Sequence, residues 1–314
     1  MTRTTLRLCL TLGCLLALSC SGGDSEKDGG PAPRPDKGTP DKSTTPDVRP
    51  AGIYRVAAVQ YSSGQYGKVD GCTSDICALT KLTEQAAGQG AQLVVTPEYA
   101  TDQGLSEPAP KVGDTPGSDG KWKEGSIAKT YAKLADKLDI ISVFNLITED
   151  QAGKLYNTDV AVGPDGKVLA RHYKFELFGG ESSLLTPGPD IATSFFDTPV
   201  GKAGLLICAD AQCIVTNLQA SPDCSSHAIT LLKEYFAKKP KMVVFSAAWT
   251  IGGTGIWAAM NVQQKVAKDG NVWFVGANNI AGDGRGGGIW KPGGEQLKTT
   301  QSATPTVVMG DIPL

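Results

Sequence analysis

The sequence predicts an α/β fold with at least one mixed sheet. Three observations carry this. Short apolar strands alternate with amphipathic helical stripes over about 260 residues from Ile53 onward. A Gly163-Pro164-Asp165-Gly166 turn between two strand-like runs marks a hairpin, so some pairing is antiparallel. A chain of 314 residues with 40% hydrophobic content supplies enough apolar surface for one large domain or two small ones.

The elements follow in order. Tyr54 to Gln60 reads as a strand and Leu79 to Ala87 as a helix. Gln92 to Thr96 is a buried strand that stops at Pro97-Glu98. From Ser126 to Leu138 the apolar positions Ile127, Tyr131, Leu134, Ala135 and Leu138 make a helical stripe. Ile140 to Ile147 is a near-continuous apolar strand, the pattern of a sheet covered by helices. The hairpin pairs Leu155 to Val162 with Lys167 to Lys174. Val200 to Cys208 is a strand, Ile229 to Lys238 a helix, Met242 to Ser246 a strand, Ile256 to Lys268 a helix and Val272 to Ala277 a strand. No internal repeat is evident.

The first fifty residues read differently. Arg3 and Arg7 precede an apolar run from Leu8 to Leu18, which is too short to cross a bilayer about 30 Å thick as a helix. With Ser19-Cys20 behind it, residues 1–20 have the plan of a secretory signal. Residues 21–52 hold six Pro, six Gly and no aromatic residue, so they cannot bury enough apolar surface to offset ordering entropy. They are expected to form a disordered linker ahead of a folded domain at 53–314. Ala17-Leu18-Ser19-Cys20 resembles a bacterial lipobox. That resemblance implies acylation of Cys20 and a lipid anchor in a bacterial envelope, and Ser21 after the Cys favours the outer membrane.

Charge excludes one class of partner. Thirty Lys+Arg against 32 Asp+Glu leave a net charge of −2, without the basic excess that nucleic acid requires. With only His172 and His227, a His-rich metal centre is excluded. Cys72 and Cys77 have no second pair or His to complete a metal set. Gly282, Gly284 and Gly287 fit GxGxxG, but no helical stripe follows to make a dinucleotide site.

Glu98, Lys174 and Cys208 each stand just beyond a strand, where a rigid element aims a side chain and a loop exposes it. Singly they read as a solvated acid, a surface cation and a core thiol. Their surroundings resemble the nitrilase (carbon–nitrogen hydrolase) superfamily. Ala57-Ala58-Val59-Gln60 resembles its first strand, and Thr96-Pro97-Glu98 its Pro-Glu motif. Tyr156-Asn157-Thr158 through Tyr173-Lys174 resembles its Lys-bearing hairpin, and Gly204-Leu205-Leu206-Ile207-Cys208-Ala209-Asp210 its nucleophile segment. A narrower resemblance, to the biotinidase and vanin (pantetheinase) branch, rests on residues 173–178, 196–201, 248–249 and 286–292. Ala209 replaces the aromatic residue most relatives carry after the Cys.

The resemblance implies an α-β-β-α sandwich of two mixed sheets with helices outside, a small amide substrate, no cofactor, and a homodimer through outer helices. A thiol is mostly protonated at neutral pH, so attack on an amide needs help. Lys174 is expected to favour the thiolate, and Glu98 to accept and return protons. The Lys174 ammonium and the Ala209 N–H are expected to stabilise the oxyanion. Family members carry a second glutamate shortly after the Lys, for which Glu181 is the candidate, with a solvated loop charge as the alternative. Trp249 either walls the substrate pocket or packs beneath it. His172 tempts a Cys–His protease reading, which lacks any flanking protease signature. The implied reaction is amide hydrolysis through a Cys208 thioester. N-acyl transfer from the same intermediate, and a lipid-anchored binding protein without turnover, are the alternatives.

Eight Cys remain to be divided. Cys9 and Cys14 leave with the signal and Cys20 becomes the anchor. Of the five left in an oxidising compartment, Cys72 is expected to pair with Cys77 and Cys213 with Cys224, leaving Cys208 free.

Overall fold

The computed structural model describes residues 51–101, 106–113, 126–215, 224–249 and 258–314. The expected signal, the linker up to residue 50 and Cys20 lie outside the described residues, as do 256 and 257 of the last expected helix. In chain order the first half runs β1 (Ile53–Gln60), α1 (Asp75–Gly88), β2 (Leu93–Val95), β3 (Ser106–Pro108), α2 (Ile127–Leu138), β4 (Ile141–Glu149), β5 (Leu155–Val162) and β6 (Val168–Tyr173). The second half runs β7 (Phe195–Thr198), β8 (Gly201–Ile207), α3 (Ala209–Val215), α4 (Ser226–Ala237), β9 (Met242–Ser246), α5 (Ala259–Gly270) and β10 (Trp273–Ala277). Three strands follow: β11 (Gly287–Trp290), β12 (Gln296–Thr300) and β13 (Thr306–Pro313).

Local chemistry starts and stops the helices. The Ser74, Ser126 and Ser225 hydroxyls accept from Cys77, Lys129 and Ala228 N–H at the N-termini of α1, α2 and α4. Asp139 and Asn271 close α2 and α5 in the left-handed conformation, which Asn and Asp tolerate better than most residues.

Two mixed sheets result. One is ordered β13-β1-β2-β4-β5-β6 with β3 on β4, the other β12-β11-β10-β9-β8-β7. β1, β2 and β4 are parallel, as are β8, β9 and β10, and the outer pairs of both main ladders are antiparallel. Val56, Ala58, Leu93, Val95 and Val143 of the first sheet meet Leu205, Val244 and Val275 of the second in a shared core. Ala57, Val59, Val94 and Phe144 face the other way, against α1 and α2. Leu206, Val243, Phe245 and Phe274 pack against α3, α4 and α5. The architecture is therefore an α-β-β-α sandwich, and burial on both faces explains why the inner strands read as unbroken apolar runs.

β3, β7, α3 and β11 to β13 add to the elements read from sequence. β13 pairs antiparallel with β1 and returns the chain to the first sheet from the second. Gly204 of β8 admits the Tyr235 ring of α4, because a Cβ there would collide with the Tyr235 hydroxyl.

Candidate active site

Three strands, β2 and β6 of the first sheet and β8 of the second, end at one place and deliver charged or reactive groups there. Past β2, Thr96 N–H still donates to Val143 O (2.9 Å), and the Ser246 hydroxyl at the end of β9 donates across to Thr96 O (2.9 Å). Glu98 follows and is turned inward, 4% exposed. Lys174 follows β6, its N–H held by Asn157 O at 2.9 Å, and is 2% exposed. Cys208 joins β8 to α3. Its N–H extends the ladder to Ser246 O (2.9 Å), while its φ of +41° turns the chain sharply into the helix. A residue without glycine's freedom held in that region is strained, a feature that clusters at functional sites.

These groups meet. Lys174 Nζ donates to Glu98 Oε1 at 2.7 Å and to Glu181 Oε1 and Oε2 at 3.0 and 2.8 Å. Glu98 Oε2 accepts from Ala248 N–H at 2.8 Å, and the Cys208 thiol faces both Glu98 and that N–H. Glu181 sits on the 3-10 turn Gly179–Ser183, where Tyr99 Oη and Phe178 N–H also donate to it. The solvated alternative for Glu181 does not describe it.

Over residues 55–314 the sequence matches the carbon-nitrogen hydrolase family. The chain belongs to that family. Omega-amidase NIT2 of Danio rerio is 35% identical over 144 residues, 41% of this chain and 47% of the relative. Omega-amidase NIT2 of Mus musculus is 33% identical over 172 residues, 50% of this chain and 55% of the relative. The chain spans about half the length of the curated relatives it matches. Among solved structures, a mutant amidase from Nesterenkonia sp. AN1 with the acetamide moiety of fluoroacetamide added at its active-site cysteine has a TM-score of 0.62. It is 18% identical, and the match covers 84% of this chain and 92% of that one. Saccharomyces cerevisiae Nit3, of the nitrilase superfamily, also gives 0.62, at 21% identity, covering 83% of this chain and 90% of that one. None of these named relatives is a biotinidase or a vanin, so the narrower resemblance rests on the sequence segments.

Burial acts on Lys174, Glu181 and Cys208, with different outcomes. Alone it would push Lys174 down, but Glu98, Cys208 and Glu181 outweigh it and hold the ammonium well above its ordinary range. Burial would raise Glu181, yet Lys174 and the Tyr99 hydroxyl hold it below. Cys208 goes the other way. Burial and then the Glu98 charge push its thiol well above the ordinary value, against the pull of Lys174. Lys174 does pull toward the thiolate, but burial and Glu98 outweigh it. The ammonium is already shared between two carboxylates, so the resting sulfur keeps its proton and faces a base.

The other expected residues are placed as follows. Ala209 is the first residue of α3, where helical N–H groups lack intrahelical acceptors. The Trp249 side chain is buried with Phe175, Phe245 and Ala247, and its N–H donates to Asn278 Oδ1 at 2.9 Å. Both ring nitrogens of His172 are engaged, by Ser194 and Asp210. Disulfides join Cys72 to Cys77 and Cys213 to Cys224, and Cys208 is the free cysteine among the described residues.

Sequence reasoning assigned nothing to Asp210, which stands two residues after Cys208. Its Oδ1 accepts from Phe175 and Glu176 N–H (both 2.9 Å) and its Oδ2 from Ile207 N–H (3.0 Å) and His172 Nε2 (2.9 Å). One buried carboxylate thus ties the backbone after Lys174 to the backbone before Cys208. Glu176 continues the frame, accepting from Ser225 N–H and Oγ beside Cys224. Asn157, in the Tyr-Asn-Thr segment, also reaches the cluster, donating to Glu98 Oε1 and Glu181 Oε1.

Proposed function

We propose that this protein hydrolyses a linear, non-peptide amide through an acyl-thioester on Cys208. The observation that carries the reading is the buried cluster itself, one ammonium between two carboxylates, with the Cys208 thiol against the carboxylate of Glu98. As Sγ attacks the carbonyl carbon, Glu98 takes the thiol proton. The oxyanion forms beside the Lys174 ammonium and the Ala209 N–H, and loss of one such donor costs about 3 kcal/mol of barrier. Glu98 then hands its proton to the departing amine, the C–N bond breaks, and the thioester remains. Water, deprotonated by the same carboxylate, attacks the thioester and releases the acid and the thiol. Each group acts without a cofactor.

The omega-amidase relatives make an ω-amide of a small acid the first substrate class to try. The biotinidase and vanin resemblance of residues 173–178 makes pantetheine and biocytin the second. Purified protein is incubated with all three, beside Cys208→Ala. Release of amine and acid only by the native protein is the expected result, and release by the variant refutes the mechanism. Added amine acceptors divert product if the enzyme is an acyltransferase. A native Cys208 that is inert to iodoacetamide, together with no cleavage, makes the protein a binding protein.

The same reading places the enzyme outside the cytoplasm, anchored through acylated Cys20 in the outer membrane of a bacterial envelope. Cys20→Ala is expected to move it from the membrane to the soluble fraction. Pairing through outer helices gives a homodimer, which sedimentation velocity measures directly.

A further inference from the structure

Behind the cluster runs a chain of buried amides that the mechanism does not use. Asn157 lies on β5, Asn145 on the neighbouring β4, and Asp159 two residues along β5. All three are fully buried. Asn157 Nδ2 donates to Glu98 Oε1 at 2.7 Å and to Glu181 Oε1 at 3.0 Å. Both of its hydrogens therefore point at carboxylates.

An amide with its two hydrogens so placed needs its oxygen fixed, and Asn145 does this. Asn145 Nδ2 donates to Asn157 Oδ1 at 2.8 Å and to Asp159 Oδ1 at 2.9 Å. Asn145 Oδ1 in turn accepts from Tyr99 N–H at 2.9 Å, from the residue next to Glu98. These partners leave one orientation for each amide, because a flipped Asn157 would set an oxygen against two carboxylates. The chain ends on Asp159, which also faces the Ser246 hydroxyl and whose carboxyl burial pushes well above its ordinary range. A neutral end adds no third negative charge beside Glu98 and Glu181.

We propose that Asn157, oriented by Asn145, is a positioning residue that holds the Glu98 and Glu181 carboxylates apart around the Lys174 ammonium and keeps Glu98 ready to take the Cys208 proton. The proposal rests on the role given to Glu98 and Cys208 above, and extends it to residues that act through the two glutamates. The titratable groups facing Glu98 are Lys174 beyond β6, Cys208 beyond β8, Glu181 on its 3-10 turn with Tyr99 bonded to it, and Asp159 on β5. Ala248 N–H, beyond β9, is the remaining donor.

The consequence is a pH profile. A carboxylate that loses a hydrogen-bond donor holds its proton more tightly, so it serves as a base only at higher pH. Alkylation of Cys208 by iodoacetamide reads this without any amide substrate. The S–C bond forms, the C–I bond breaks, iodide leaves and the thiol proton passes to Glu98. The rate is measured across the acid limb for the native protein, Asn157→Ala and Asn145→Ala. Asn157→Ala is expected to move the limb upward by about one pH unit, the scale of one charge-assisted hydrogen bond. Asn145→Ala, which removes no donor from either glutamate, moves it in the same direction by less. A merely structural role lowers the melting temperature and leaves the limb where it was, and that outcome overturns the proposal. If Asn157→Ala does not fold, the direction of the Asn145→Ala shift decides alone. A native protein that alkylates normally but cleaves no amide sinks the proposed function and not this inference.

Discussion

Two regions carry the same covalent staple to different ends. Cys72–Cys77 lies at the start of α1, spans a separation of 5 residues, and packs against the helical layer of the first sheet. Cys213–Cys224 spans 11 residues and holds α3, the helix that begins at the residue after Cys208. Ser225, next to Cys224, grips Glu176, and Asp210 grips the backbone of Phe175 and Glu176. The second staple therefore belongs to a frame running from Lys174 to Cys208, and the first belongs to packing alone. Chain-entropy reasoning assigns both loops a similar stabilisation, about 2–3 kcal/mol. Stability measurements would not tell them apart, whereas turnover would.

The largest effect is expected at the centre of the frame. Asp210→Asn turns one acceptor into a donor against the N–H groups it now binds, so the tie between the backbone after Lys174 and the backbone before Cys208 is broken. The rate should fall about 100-fold or more, since small misplacements of reacting groups cost that much. Turnover near the native level would show that the frame does not set catalytic geometry. Next come the staples. Cys213→Ser with Cys224→Ser should lower kcat about tenfold, while Cys72→Ser with Cys77→Ser should leave kcat within about twofold, at comparable losses of melting temperature. Equal kcat losses for the two pairs would erase the contrast.

The smallest effect is electrostatic. Glu181 is held below its ordinary value of 4.5, chiefly by Lys174 against the effect of burial, so its ionised form contributes stability. That contribution is fully present above the unfolded-state value and is lost as pH falls through the lowered folded value. Glu181→Gln should therefore flatten the loss of stability below about pH 4.5 relative to the native protein. An unchanged slope there would mean that the Lys174–Glu181 pair adds nothing to folding.

Much of this arrangement was legible in the chain, for identifiable reasons. β1, β4 and β9 are buried on both faces, so their sequences are nearly unbroken apolar runs. Glu98, Lys174 and Cys208 stood out because each follows an apolar strand, although the fold then buries Glu98 and Lys174. The closing strands were not legible. β11 begins Gly287-Gly288, and β13 carries Gly310 and Asp311, residues that weaken a strand signal and are tolerated because β13 lies along β1. α3, at seven residues, is too short to show a helical period. Asn157 and Asp159 alternate along β5, the spacing that a solvated hairpin face also shows. Their burial follows from the second sheet packing over β5, and no local pattern reports that. The spacing of Asp210 from Cys208 was visible, but its donors come from residues 172–176 and 207, brought together only by the fold.

The central claim is that Cys208 carries the acyl group in turnover. Peptide-mapping mass spectrometry of protein quenched during cleavage of an amide tests it directly. The account predicts an added acyl mass on the peptide containing Cys208, absent in Cys208→Ala. An amide that is cleaved while Cys208 stays unmodified, or that Cys208→Ala still cleaves, would contradict it.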